Sequence, residues 1–160
     1  MGLRDQKKAE TSAKLLVAAR RNFFVNGYVN TSMDKLCQEV GVTRGALYHN
    51  FGGKKELFEA VVRQIDKEME DKLYKVEKDP ITLENFIEVC MAYLDFALDP
   101  EIQKIVFKDA PSVLGQSFRQ IEAEASIQPL VEAFDLLKLK SKNKEMDSEV
   151  FAIMLYGALI

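Results

Sequence analysis

The chain has 160 residues, 48% apolar and 29% charged, with a formal net charge of −3. That is the make-up of a soluble globular protein, with room for one compact domain or a small domain joined to a larger one. No run approaches the roughly 18–20 apolar residues of a membrane span. The first eight residues lack the apolar core of a signal peptide, and Cys37 and Cys90 stand too far apart to suggest a disulfide framework or a zinc site. A cytosolic protein without cofactor or metal is expected.

Apolar residues recur with helical period almost throughout, and no segment alternates as a strand does. A first helix is expected from about Lys8 to Asn26, with Leu16, Ala19 and Phe23 on one face and Leu15 and Phe24 beside them. Gly27 ends it, and Tyr28 and Val29 lead into Thr31. Thr31 is a good N-cap, with Asp34 placed to reach back as a short capping box. Met33, Leu36, Cys37 and Val40 then form one buried stripe, and Gly41 supplies the positive φ that a helix end favours. Val42 is positioned to plug the angle to a third helix capped by Thr43. In that helix Ala46, Leu47 and Phe51 face inward and Arg44, Gly45, Tyr48 and His49 outward. Two short helices about a glycine turn, the second opening on small and polar residues, suit a helix-turn-helix, which reads base edges in the major groove. A pair of ordinary amphipathic helices is the competing reading.

Gly52-Gly53 breaks the chain, and Lys54 opens a long helix on Leu57, Phe58, Val61, Ile65, Met69, Leu73 and Val76. It should reach about Glu77, roughly 24 residues or 36 Å at the standard rise. Asp79-Pro80 stops it. Thr82 caps a helix carrying Phe86, Cys90, Tyr93, Leu94 and Ala97, and Asp99-Pro100 starts a short one with Ile102, Ile105 and Val106. A break is expected at Asp109-Ala-Pro111. The pattern from Val113 to Leu139 is helical but interrupted at Pro129, the basic stretch from Lys138 to Lys144 reads as a solvated loop, and Asp147 caps a last helix to Ile160.

Charge separates the two ends. Residues 1–63 hold 11 Lys/Arg against 6 Asp/Glu, a balance of +5, and residues 64–160 hold 11 against 19, a balance of −8. A local basic patch, more than the total, is what phosphate binding requires. Catalysis finds little support. His49 is the only histidine, the carboxylates are scattered, and Gly52-Gly53 lacks the strand-loop-helix setting of a phosphate loop. No enzyme is expected.

Residues 8 to 63, within a family domain spanning about 8–68, resemble the DNA-binding domain of the tetracycline-repressor (TetR) family of transcriptional regulators. The features that carry the resemblance are Ala18-Ala19-Arg20 through Phe23, Gly27-Tyr28, Thr31-Ser32, the run from Gly41 to Phe51, then Lys54 and Leu57. The resemblance implies an all-α fold: an N-terminal three-helix helix-turn-helix domain (1–53), a connecting helix (54–79), and a C-terminal helical ligand-binding and dimerisation domain (80–160). It also implies a ligand-responsive repressor that binds double-stranded DNA as a homodimer at a near-palindromic operator. Thr31 or Ser32 would hold a phosphate at a helix N-terminus. Thr43, Arg44, Gly45 and Ala46 would face base edges, Arg44 being the residue most able to bond guanine. Tyr48 and His49 would lie beside them, and Lys54 would grip a phosphate. A small apolar or amphipathic effector would bind among Phe86, Met91, Tyr93, Phe96, Phe107, Phe118, Phe134 and Tyr156.

Two departures from the family pattern stand out. Gly53 replaces the usual polar cap before Lys54, so with Gly52 a loose junction is expected. The last apolar run, Val150 to Ile160, is expected to be buried, and it stops where similar proteins continue into a second long helix that packs on a partner chain. The dimer surface is therefore expected to be incomplete in this sequence. A helical protein-interaction module without DNA binding is the alternative function.

Overall fold

The computed structural model describes residues 2–74, 82–140 and 147–159. Every regular element among them is helical. The chain divides into two compact units: Met1–Gln64 with Lys104–Gly115, and Ile65–Gln103 with Gln116–Ile160.

The first unit contains α1 (Leu3–Asn30), α2 (Met33–Val40), α3 (Arg44–Phe51) and the first half of α4 (Lys54–Tyr74). Its core is a set of side chains with no solvent exposure: Leu15, Ala19 and Phe23 of α1, Leu36 of α2, Leu47 of α3, and Leu57, Phe58, Val61 and Val62 of α4. Leu15, and not the half-buried Leu16, lies on the inner face of α1. Phe58 meets the rings of Phe23 and Tyr28 edge-on, with centroids 4.9 and 5.0 Å away. Each such large side chain contributes about 1.5–3 kcal/mol when taken from water, so three helices suffice to hold α3 in place.

The first helix does not end at Gly27. It bends there, with φ +75°, and helical hydrogen bonding resumes to Asn30. A bend leaves a carbonyl before it and an N–H after it without helical partners. The segment from Lys104 to Gly115 supplies both. Lys104 Nζ donates to the Val25 carbonyl at 3.2 Å, and Asp109 Oδ2 accepts from the Tyr28 N–H at 2.9 Å. Sequence reasoning read Asp109-Ala-Pro111 as a break. The chain there stays helical, passing from α6 (Pro100–Ile102) through a π-helical segment (Gln103–Asp109) into α7 (Ala110–Leu114). Pro111 falls just after the π-helical segment, in the first turn of α7.

The second unit is built from the rest of α4, α5 (Leu83–Ala97), α8 (Gln116–Glu122), a π-helical segment (Ala123–Ile127), α9 (Gln128–Lys140) and α10 (Ser148–Leu159). The expected caps are present: Thr82 Oγ1 accepts from Asn85 N at 3.2 Å, and Asp147 Oδ1 from Glu149 N at 2.9 Å. Phe86, Phe134 and Ala152 join α5, α9 and α10 in a small core. The last helix is not wholly buried as expected. Ala152 and Tyr156 face inward, while Val150, Ile153 and Met154 are more than half exposed in the single chain. The far end of the long helix beyond Tyr74 and most of the basic stretch after Lys140 lie outside the described residues.

Candidate nucleic-acid interface

The turn between α2 and α3 is set by backbone bonding. Gly41 takes φ +73°, which lets its own N–H reach the Gln38 carbonyl (3.3 Å) and the Val42 N–H reach the Cys37 carbonyl (3.0 Å). That is the Schellman pairing, and it fixes the direction in which the chain leaves α2. Thr43 then caps α3, its Oγ1 accepting from Ala46 N at 3.1 Å. Fully buried Leu47 anchors the helix from below. Asn50 Oδ1 accepts from the Ser12 hydroxyl at 2.9 Å, tying α3 to α1.

With Leu47 inward, helical geometry turns the other side of α3 to solvent. Thr43, Arg44, Gly45, Tyr48 and His49 are all exposed, and Ala46 is half-buried at the edge. Arg44 pairs with Asp34 Oδ1 at 3.2 Å and lies 5.9 Å from the Tyr48 ring centroid. Both partners of that ion pair are more than half exposed, so little free energy holds the guanidinium there. A Cβ added at Gly45 would meet only Thr43 Oγ1, at 3.8 Å. The fold leaves open space at this glycine.

Thr31 differs from expectation. The residue that caps α2 is Ser32, whose Oγ accepts from Lys35 N at 3.4 Å. Thr31 is buried, its hydroxyl donating to the Gly27 carbonyl at 2.8 Å with the Asn22 carbonyl at 3.1 Å alongside. Those carbonyls belong to the bend residue and to the turn of α1 before it, so Thr31 ties down the bend while Ser32 caps the α2 terminus. Lys54 is also engaged. Its Nζ donates to the Val29 carbonyl at 3.1 Å and lies 4.7 Å from the Tyr28 ring centroid, and its partial burial lowers its pKa. In the glycine junction before it, Gly52 needs its glycine, with φ +93° and its N–H donating to the Tyr48 carbonyl at 2.8 Å, whereas a Cβ at buried Gly53 would meet only the movable end of a side chain closely, Glu56 Oε2 at 2.8 Å.

A cavity of about 410 Å³ opens in the second unit. Of the eight side chains expected to bind an effector, Phe86, Tyr93 and Tyr156 line it. The other five do not. Met91 is exposed, and Phe96 lies under Lys72 Nζ, 4.8 Å from its ring centroid. Phe107 belongs to the first unit, Phe118 is buried away from the lining, and Phe134 packs behind Phe86 with centroids 5.1 Å apart. Sequence reasoning missed Met69 and Leu73 of α4 and Pro129 and Leu130 of α9, which complete the walls.

Comparison with known proteins gives this arrangement its context. Residues 15–61 match the family model described as bacterial regulatory proteins of the TetR family, and residues 83–160 match the tetracyclin repressor-like C-terminal domain. The crystal structure of a TetR-family transcriptional regulator from Pectobacterium atrosepticum is 41% identical. The match covers 96% of this chain and 80% of that one, with a TM-score of 0.79. The chain belongs to the TetR family of transcriptional regulators.

Curated relatives described as HTH-type transcriptional regulators match over a little more than a third of the chain. The HTH-type transcriptional regulator TtgR of Pseudomonas putida is 37% identical over 57 residues, which are 36% of this chain and 27% of TtgR. The HTH-type transcriptional repressor AcnR of Corynebacterium efficiens is 36% identical over 58 residues, 36% of this chain and 31% of AcnR. The stretch of this TetR-family chain that aligns is thus about a quarter to a third of those relatives' length. No helix among the described residues is long and apolar enough to cross a membrane, and no group of three or more His, Cys, Asp or Glu among them is arranged to hold a metal ion.

Proposed function

We propose that the chain is a ligand-responsive repressor that binds a near-palindromic operator as a homodimer, reading bases with the exposed start of α3. The observation that carries this reading is the pairing of buried Leu47 with exposed Thr43, Arg44 and Gly45, which anchors a short helix while presenting its N-terminal residues outward. Arg44 exchanges the exposed carboxylate of Asp34 for a guanine edge. Gly45 and Ala46 admit a close groove wall, and Tyr48 and His49 contact bases or sugar-phosphate beside them. Ser32 presents an α2 N-terminus, with its unpaired N–H groups, to a phosphate. Lys54 adds positive charge near the strand while staying bonded to Val29.

Two-fold symmetry follows from DNA geometry, since two recognition helices must enter successive major-groove faces about 34 Å apart. The exposed apolar side of α10 supports pairing with a second copy. The cavity in the second unit takes the effector, and effector and operator each weaken the other's binding by the same factor. Selecting fragments that the protein retains from genomic DNA tests the proposal. Enrichment of an inverted repeat supports it, and retention without any shared sequence overturns it.

A further inference from the structure

The cavity in the second unit has apolar walls, aromatic faces and charges of one sign. Met69, Leu73 and Leu130 supply hydrocarbon, and Phe86, Tyr93 and Tyr156 supply ring surface. The charged lining residues are Glu70 and Glu132, and no described lysine, arginine or histidine joins them. A third carboxylate stands just behind the lining: Glu122 Oε1 accepts from the Tyr156 hydroxyl at 2.7 Å. The Tyr156 ring in turn meets the Tyr93 ring edge-on at 6.4 Å.

These features act together. Burial, helped by the Glu122 and Asp66 carboxylates, pushes the Tyr93 hydroxyl up to about 12, and burial with Tyr93 and Glu122 raises Tyr156 as well. Both phenols keep their protons, and their rings line the space together with that of Phe86; a neutral aromatic ring attracts a cation over its face. An anion entering the same space would lose its water, find no cationic partner among the described lining residues and face two glutamates. A cation would be paired at the mouth by Glu70 and Glu132 and met inside by ring faces. The acidic balance of residues 64–160, 11 Lys/Arg against 19 Asp/Glu, favours its approach.

We propose that this cavity selects organic cations with an apolar body, an alkyl or aryl ammonium for instance, over anionic and neutral amphiphiles of the same size. The inference rests on the reading of the cavity as the effector site and names the class of effector.

Calorimetric titration of the full chain with three probes of equal chain length, decyltrimethylammonium, decanoate and 1-decanol, tests it below their aggregation limits. The expected result is saturable one-to-one binding of the ammonium, at least tenfold tighter than either of the others. The Glu70→Gln/Glu132→Gln variant should weaken the ammonium threefold or more and leave decanol unchanged. A control with the same change of charge on exposed surface, Glu84→Gln/Glu149→Gln, should bind the ammonium as the parent does. Equal or tighter binding of decanoate or decanol, no binding of any probe, or equal losses in the two double variants each overturn the proposal. Adding each probe to the protein–operator complex separates this from the wider reading. Release by decanoate with no release by the ammonium keeps the effector site and refutes the class. Tight selective ammonium binding that leaves the complex intact keeps the class and refutes the regulatory role.

Discussion

The two units differ in the distance over which their candidate sites are assembled. In the first, the outward face of α3 is specified within about a dozen residues: a Schellman glycine at 41, a cap at 43 and one anchoring leucine at 47. In the second, the cavity gathers Met69 from α4, Phe86 and Tyr93 from α5, Pro129 from α9 and Tyr156 from α10. Short-range assembly makes a surface that each substitution alters cleanly. Long-range assembly makes one that depends on how several helices pack.

Substitutions at the two sites sharpen that contrast, beginning with the anchor. Leu47→Ala should cost about 2–5 kcal/mol of stability in denaturant titrations and abolish DNA binding with it, because the same residue sets both. Asp109→Ala removes a carboxylate bonded to the Tyr28 N–H, and a loss of about 1.5–3 kcal/mol is expected, towards the low end because Asp109 is only half-buried. The loss should appear as a lower unfolding midpoint, with DNA affinity reduced at temperatures where the protein is still folded.

Arg44→Ala should weaken a specific site by about 1–3 kcal/mol and leave the unfolding midpoint within experimental scatter. Gly45→Ala is the finer probe. The added methyl makes only an ordinary contact with Thr43 Oγ1, at 3.8 Å, in the free protein, and alanine is the better helix former, by less than the roughly 0.5–1 kcal/mol of a mid-helix position because Gly45 lies in the first turn of α3. Higher stability with lower DNA affinity is the expected outcome, and unchanged affinity would mean that no groove wall approaches this residue.

The smallest effect is alkaline. In the folded chain Tyr93 keeps its proton up to about 12, against an ordinary value of 10.0. Between those values the folded state binds a proton that the unfolded chain has released, so stability falls as pH rises through that window. Absorbance titration at the phenolate band should show late-ionising tyrosine signal from Tyr93 and Tyr156, of which Tyr93→Phe removes one part and leaves the other.

Much of the first unit was legible because its signals are local. Gly41, Thr43 and the spacing of Leu36 and Leu47 each impose one backbone choice. Thr31 was misjudged because Thr and Ser cap equally well in sequence, and only the bend at Gly27 creates the carbonyls that draw Thr31 inward. Lys104 and Asp109 carried no signal at all, since their partners Val25 and Tyr28 are some 80 positions away. The cavity was legible only in part for the same reason. Phe86 and Phe134 look alike in sequence, yet one lines the space and the other packs behind it. Hydrophobic periodicity tells which face of a helix is inside, but not whether that inside is filled.

The exposed start of α3 is best tested with a labelled operator duplex, titrated by fluorescence anisotropy at two salt concentrations with the parent and with Arg44→Ala. About four phosphate contacts per subunit should make parental binding fall steeply with salt. The variant should lose affinity for the operator at both salts, keep its salt slope and keep its unfolding midpoint. Parental binding indifferent to salt, or an Arg44→Ala variant that binds the operator as tightly as the parent, would contradict a DNA-reading role for this helix.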